Sequence, residues 1–435
     1  MADKYTISSL FKFIKKSTGP FHAVAEVKNT LMENGYTELS ECEEWTLRAG
    51  GEYFVTRNLS SIIAFRIPEN GFDSFMMVAS HSDSPSFKIK EQAEMSTPNY
   101  VRINTERYGG MLCATWLDRP LSVAGKVMVK DGSTIRSVLY SSEEPLLLIP
   151  NVAIHMNRAA NTGFEYKANV DTVPLWSGSA GKTIRGKVAE DLGISVESII
   201  STDLFLVNPA DGVQWGANGE FISCPRLDDL ECVYGSLQGF LASEEARGVP
   251  VLAVLDNEEV GSTTRQGADS TFLTDVLERI SALCGKTAEE HRAAVAQSFL
   301  VSADNAHAIH PNHPEYADKT EAPVLNSGVV LKYNANQRYT TDGLSAAVFG
   351  QICRTAGAEL QRYSNRPDLP GGSTLGNIAM AHLSIPAVDI GLPQLAMHAA
   401  CEVAGARDTE ALVKAMTAYY SSSLRRQGDG SVELG

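Results

Sequence analysis

The sequence predicts an α/β fold in two parts, and three observations predict it. Short apolar runs recur at residues 75–79, 251–255, 299–301 and 387–390, a length and composition that read as buried strands. Stretches of helical spacing lie among them. After Arg226-Leu227-Asp228, the apolar positions Leu230, Val233, Leu237, Phe240 and Leu241 mark one face of a helix packed on the sheet. Between about residues 94 and 222 the pattern changes: segments 121–130 and 134–141 flank Asp131-Gly132, a two-residue hairpin signal. Residues 161–187, rich in Gly, Ser and other polar types, read as a long loop within that region. The expected organisation is a discontinuous domain, 1–93 and 223–435, interrupted by a β-rich insertion, 94–222.

Composition bounds the function. The chain has 435 residues, 43% of them hydrophobic and 20% charged, the balance of a globular protein with a sizeable core. Thirty-seven Lys and Arg face 52 Asp and Glu, and the net charge of −15 argues against nucleic acid as a partner. The N-terminal stretch is amphipathic and interrupted by lysines, and no window has the length and apolarity of a membrane span, so a cytoplasmic protein is expected. Seven scattered cysteines without CxxC spacing fit neither a disulfide framework nor a thiolate zinc site and read mostly as buried small hydrophobes.

Each strand-like run is followed by residues able to bind metal. His81-Ser82-Asp83 follows the first, Asp256-Asn257-Glu258-Glu259 the second and Asp304 the third, while His398 stands in the loop beyond the fourth. Ligands of open parallel sheets collect outside the carboxyl ends of the strands, where residues distant in sequence converge. Asp228, at the start of the helix, can join them. Alone, each acid reads equally as a turn or helix cap. Together, two His and several carboxylates suit a pair of divalent cations, most simply Zn²⁺, with Mn²⁺ or Co²⁺ also compatible. The adjacent Glu258 and Glu259 imply a division of labour between ligand and base. Two ions sharing a water, with a carboxylate to take its proton, can hydrolyse an amide.

The motifs Ser80-His81-Ser82-Asp83-Ser84-Pro85, Arg226-Leu227-Asp228-Asp229, Asp256-Asn257-Glu258-Glu259-Val260-Gly261-Ser262, Ser302-Ala303-Asp304-Asn305-Ala306-His307-Ala308 and Gln394-Leu395-Ala396-Met397-His398 resemble those of the aspartyl aminopeptidase family, in the family's order. Weaker matches run from Gly19-Pro20-Phe21-His22 through Trp116-Leu117-Asp118-Arg119 and Ile149-Pro150-Asn151-Val152-Ala153-Ile154-His155 to Gly371-Gly372-Ser373-Thr374. The resemblance implies a zinc-peptidase-like domain, a mixed sheet flanked by helices, with an inserted β domain that pairs subunits within tetrahedral dodecamers. It implies that His81 and Asp304 hold one zinc, that Glu259 and His398 hold the other, and that Asp228 bridges them. Glu258 would be the base and Asp83 would orient His81. It further implies hydrolysis of N-terminal residues from peptides with a preference for Asp and Glu, a pocket lined by His307, Lys332 and Tyr339, and a His155 that reaches the neighbouring subunit's site. Two positions depart from the commoner pattern, Asp229 for Asn and Ser82 for Thr, and neither removes a ligand or the base.

A two-metal dipeptidase or deacylase of related fold is the alternative enzyme, and a scaffold assembly the non-catalytic one. The segment His310-Pro311-Asn312-His313-Pro314 reads as a polar turn rather than a metal tract.

Overall fold

The computed structural model describes residues 6–178, 181–244, 246–369, 371–372 and 374–435; Ser373 of the glycine-rich motif lies outside them. The chain divides into two compact units. The first comprises 1–83, 212–397 and 402–435, and the second comprises 84–211 with 398–401. The sequence boundaries at 93/94 and 222/223 stand further along the chain at both junctions. Strand Ser86–Ser96 belongs to the second unit's sheet, and strand Phe221–Cys224 pairs with Glu402–Gly405 in the first.

The first unit is built on a nine-stranded mixed sheet. Its order is Thr37–Leu39, Glu52–Arg57, Ser61–Arg66, Val249–Leu255, Phe75–His81, Phe299–Ala303, Ala387–Gly391, Val329–Tyr333 and Leu360–Ser364. The strands Phe75–His81, Val249–Leu255, Phe299–Ala303 and Ala387–Gly391 are the expected apolar runs, buried at every position. They run parallel to one another. Alternate side chains point to opposite faces of a strand, and the core divides accordingly. Met76, Val78, Leu252, Val254, Phe299, Val301, Val388 and Ile390 face one layer, packed with helices Ile7–Lys16, Pro20–Glu33, Leu227–Ala242, Gly343–Ala356 and Asp408–Tyr420. Phe75, Met77, Ala79, Val249, Val251, Ala253, Leu300 and Ala387 face the other, packed with helices Phe272–Leu283 and Leu375–Leu383. The result is a helix–sheet–helix sandwich.

Helix Leu227–Ala242 contains all five apolar positions read from the sequence. It approaches helix Asp408–Tyr420 closely at Gly239, where an added Cβ would lie 2.4 Å from Met416 Cβ. A five-stranded sheet completes this unit, in the order Val213–Trp215, Phe221–Cys224, Glu402–Gly405, Pro393–Leu395 and Ala306–His307, together with the hairpin of Leu424–Gly428 and Ser431–Leu434.

The second unit is a sheet closed on itself. Strand Ile199–Val207 pairs with Ser86–Ser96 and also with Pro120–Asp131, and Val101–Tyr108, Leu175–Ser177 and Leu147–Leu148 complete the circuit. Phe87, Ile89, Ile103, Leu121, Val123, Val127, Leu204 and Leu206 belong to its core, with Ile184 and Val188 of helix Ile184–Leu192. In the expected hairpin Asp131 remains paired with Thr134, so the two-residue loop is Gly132-Ser133, with Gly132 at φ 58°. The long loop expected at 161–187 is broken by strand Leu175–Ser177 and by the start of the helix.

Of the seven cysteines, Cys224, Cys232 and Cys353 are buried, whereas Cys42 and Cys284 are exposed, so burial is not their general rule here. His310 and His313 form an isolated bridge, their rings tilted at 39° with centroids 5.4 Å apart, in keeping with a turn. Among the described residues no helix is long and apolar enough to cross a membrane.

Candidate metal centre

Parallel register builds the centre. Leu255 is paired with His81, and Ser302 with Ala79, so the strands Phe75–His81, Val249–Leu255 and Phe299–Ala303 end together. The residues that follow are thereby delivered to one edge: Asp83, then Glu258 and Glu259, then Asp304. Asp228 arrives from the start of helix Leu227–Ala242, its backbone N–H donated to Glu402 Oε2 at 2.9 Å.

His81, Asp228, Asp229 and Asp304 are all buried, and each offers an atom within 4.8 Å of the others; His81, Glu258 and Glu259 form a second such group. His81 Nε2 stands 3.4 Å from Asp228 Oδ1 and 3.9 Å from Asp304 Oδ1. On the other side of the ring, Nδ1 lies 3.1 Å from the Asp83 carbonyl and 3.3 Å from Asp83 Oδ1. A proton on Nδ1 would therefore leave Nε2 free to face the carboxylates. The Asp83 carboxylate also holds the next loop, accepting the N–H of Glu258 at Oδ1 and of Glu259 at Oδ2, both at 3.2 Å. Those two acids sit on a single 3₁₀ turn, Glu258–Val260, entered through Asn257 at φ 65°. Ser82 uses its hydroxyl on the Ser60 carbonyl at 2.7 Å.

The electrostatics are those of crowded, desolvated carboxylates. Burial pushes Glu258 up to about 8, and the neighbouring acids Asp304, Asp83 and Asp228 add to it against the opposing influence of His81. Glu259 and Asp229 are driven well above the carboxylate range by burial and by their acidic neighbours. Burial alone would depress the His81 imidazole, but Asp229, Asp228, Asp304 and Asp83 reverse this and hold it well above its ordinary value. Taking like charges out of water costs several kcal/mol per ion unless a counter-charge offsets it. Buried imidazole and carboxylate oxygens converging within ligand reach are the donor set of a zinc-type divalent cation. The residues fit the group.

The remaining sequence-derived residues are placed less uniformly. Lys332 is buried, on strand Val329–Tyr333; Nζ donates to the carbonyls of Asp304 at 2.7 Å and Asn305 at 3.1 Å, and lies 3.6 Å from Asp304 Oδ2. Its Nζ is 5.3 Å from the centre of the buried Tyr339 ring. Burial works against the ammonium, yet Asp304, Tyr339 and Asp389 raise its pKa. His307 is exposed at the end of a two-residue strand, its ring 6.1 Å from that of Tyr363. In the second unit, His398 is half-buried at φ 64°, and its carbonyl accepts the Leu112 N–H at 3.0 Å. His155 is exposed on an irregular segment. That segment is anchored where Asp118 takes the Asn151 backbone N–H at Oδ1, 2.8 Å, and its side-chain amide at Oδ2, 2.7 Å.

Sequence reasoning gave three further acids no role. Asp229, noted only as a departure, accepts the His81 backbone N–H at 3.1 Å. Glu402 holds the Asp228 backbone and stands four residues beyond the last motif. Asp256 is raised to about 7 by burial and by Asp83; it was read only as part of its motif.

The family model described as "Aminopeptidase I zinc metalloprotease (M18)" matches residues 13–420. A probable M18 family aminopeptidase 2 of Clostridium acetobutylicum is 44% identical over 423 residues, covering 95% of this chain and 98% of the relative. Among solved structures, that of the Ape4 and Nbr1 complex superposes with a TM-score of 0.92 at 34% identity, covering 95% of this chain and 85% of the other. The S. cerevisiae mApe1 dodecamer superposes with 0.83 at 27%, covering 95% of each. With the match spanning nearly the whole chain, the protein belongs to the M18 aminopeptidase family of zinc metalloproteases.

Proposed function

We propose that this aminopeptidase removes single N-terminal residues, Asp and Glu by preference, at a centre of two divalent cations with Glu258 as general base. The observation that supports it best is the convergence of His81, Asp228, Asp304, Glu258 and Glu259 at the common end of three parallel strands. His81 and Asp304 would hold one ion, Glu259 and His398 the other, and Asp228 would bridge them; zinc is the simplest occupant, with manganese or cobalt as substitutes. When bound, the ions polarise the scissile carbonyl and lower the pKa of water.

The chain's own residues do the rest. Glu258 takes the proton of the attacking water and passes it to the departing amine. Asp83 holds both the His81 ring and the turn that carries the base. His307, Lys332 and Tyr339 line the pocket for the N-terminal residue. Lys332 is already engaged by Asp304 and Asn305, so it acts on an acidic side chain through its field rather than by direct contact.

The same reading makes the protein a cytoplasmic self-associating one, forming dimers and a tetrahedral dodecamer through the barrel unit, with His155 completing a neighbour's site. It is supported by the likeness to the mApe1 dodecamer and by the exposed apolar residues Val152, Ile154 and Met156 around His155. Incubation of the metal-loaded protein with free and N-acetylated peptides tests the reading. Loss of one N-terminal residue from the free peptide only, abolished by chelation, is expected. Cleavage of the acetylated peptide would instead indicate a deacylase, and hydrolysis restricted to dipeptides a dipeptidase.

A further inference from the structure

Asp389 lies in the middle of strand Ala387–Gly391 and is fully buried. A carboxylate in that position must be hydrogen-bonded to be tolerated, and its two oxygens are taken by different loops. Oδ2 accepts both the backbone N–H and the hydroxyl of Thr340, the latter at 2.7 Å. Oδ1 accepts the Thr374 hydroxyl at 2.6 Å. The Asp389 backbone N–H is donated to the Thr341 hydroxyl at 2.9 Å.

Each of these partners leads toward the site. Thr340 directly follows Tyr339, whose ring covers Lys332. Strands Val329–Tyr333 and Ala387–Gly391 are antiparallel with Leu331 opposite Ile390, so the next pair in register is Lys332 with Asp389, on one face of the sheet. Lys332 in turn holds the main chain of Asp304 and Asn305. Thr374 precedes helix Leu375–Leu383, whose start is pressed against the same carboxylate: a Cβ at Gly376 would stand 2.8 Å from Asp389 Oδ1 and from Ser302 Cβ.

We propose that Asp389 is a positioning residue that holds Tyr339 over Lys332 and fixes the start of helix Leu375–Leu383, so that the wall receiving the substrate's N-terminal residue is formed before substrate arrives. Its contacts are with loops rather than with reacting atoms. The inference rests on the reading of Tyr339 as a pocket residue.

The test is a double-mutant cycle on the metal-loaded enzyme with Asp389→Asn, Tyr339→Ala and the pair, together with metal content and amide hydrogen exchange of the metal-free protein. Asp389→Asn should keep its metal and lower kcat/KM about 10- to 100-fold, mainly through KM, with the double variant within about twofold of the weaker single one. Exchange should quicken in peptides spanning 339–341 and 374–376, a change read without any catalysis. Losses that multiply in the double variant, or unchanged exchange at those peptides, would overturn the proposal. Should Asp389→Asn not fold, Thr340→Val removes one hydroxyl donor and enters the same cycle, with an expected loss of about three- to tenfold. A wild-type enzyme without aminopeptidase activity would sink the functional reading, while the exchange data would still decide whether Asp389 orders these loops.

Discussion

The Oδ1 oxygen of Asp83 accepts the backbone N–H of Glu258 at 3.2 Å, so one buried carboxylate couples the strand that carries His81 to the turn that carries the base. Its Oδ2 does the same for Glu259. Asp83→Ala would leave two N–H groups without acceptors, each costing about 1–3 kcal/mol. The expected outcome is a fall in kcat of at least about tenfold with weaker metal retention, and an intermediate result for Asp83→Asn, which keeps one acceptor. Steady-state kinetics beside metal analysis decide it; a wild-type kcat in Asp83→Ala would remove the coupling from the mechanism.

Glu258→Gln keeps the shape of the turn and removes the proton acceptor. Metal content should be preserved while kcat falls by about 10²- to 10⁴-fold, the usual worth of a general base. Near-normal turnover in a fully loaded variant would exclude Glu258 as the base.

Lys332→Met separates two roles of a buried ammonium. Because Nζ is engaged by Asp304 and Asn305, its influence on a substrate carboxylate is indirect, and Asp- and Glu-initiated peptides should slow by less than about tenfold relative to Leu-initiated ones. Wild-type profiling across Asp, Glu, Leu, Met and Lys N-termini comes first. An equal loss on every substrate would leave Lys332 with Asp304 alone as its charge.

Gly239→Ala tests the packing of helix Leu227–Ala242 against helix Asp408–Tyr420. The new methyl would meet Met416 Cβ at 2.4 Å and the Thr417 backbone nitrogen at 2.9 Å, in an interface with no space to yield cheaply. A destabilisation of about 1–3 kcal/mol is expected, read as a lower urea midpoint at unchanged m-value. An unshifted midpoint would show that the two helices part without penalty.

His22 should contribute to the acid sensitivity of the fold. Burial, with Arg226 nearby, lowers its imidazole to about 4. The unfolded value is near 6.5, so the unfolded chain binds the proton more readily between those limits. Stability tied to the neutral ring is therefore full above pH 6.5 and is lost as pH falls toward 4. Relative to His22→Gln, the wild type should lose about 2 kcal/mol between pH 7 and 4.5; parallel pH curves for the two proteins would refute the assignment.

Much of the fold is legible in the chain because burial acts on the sequence directly. Strands enclosed on both faces must be apolar throughout, which is why residues 75–79, 251–255, 299–301 and 387–390 announced themselves. The helix after Asp228 was equally visible, through one apolar face. Within the insertion, the hairpin signal located the right turn but missed its register by one residue, because pairing is set by the whole ladder rather than by the turn alone. The short strand Leu175–Ser177 was invisible, since three residues of partial burial carry no periodicity.

The candidate centre divides in the same way. Residue type and position after an apolar strand single out His81, Glu258, Glu259 and Asp304 as candidates, and the structure brings His81 within ligand reach of the other three, because donor chemistry is written in the side chains themselves. Tertiary structure alone decided how they are held: Asp229 on the His81 backbone, Glu402 on that of Asp228, and Asp389 between Thr340 and Thr374. Their partners are far away in the chain, and an acid that satisfies a distant backbone N–H looks, in sequence, like any other acid. Lys332 shows the limit most plainly. Its type suggests a cation facing substrate, while two carbonyls just beyond strand Phe299–Ala303, two strands away in the sheet, accept from the ammonium, and only the packing of the sheet brings those carbonyls there.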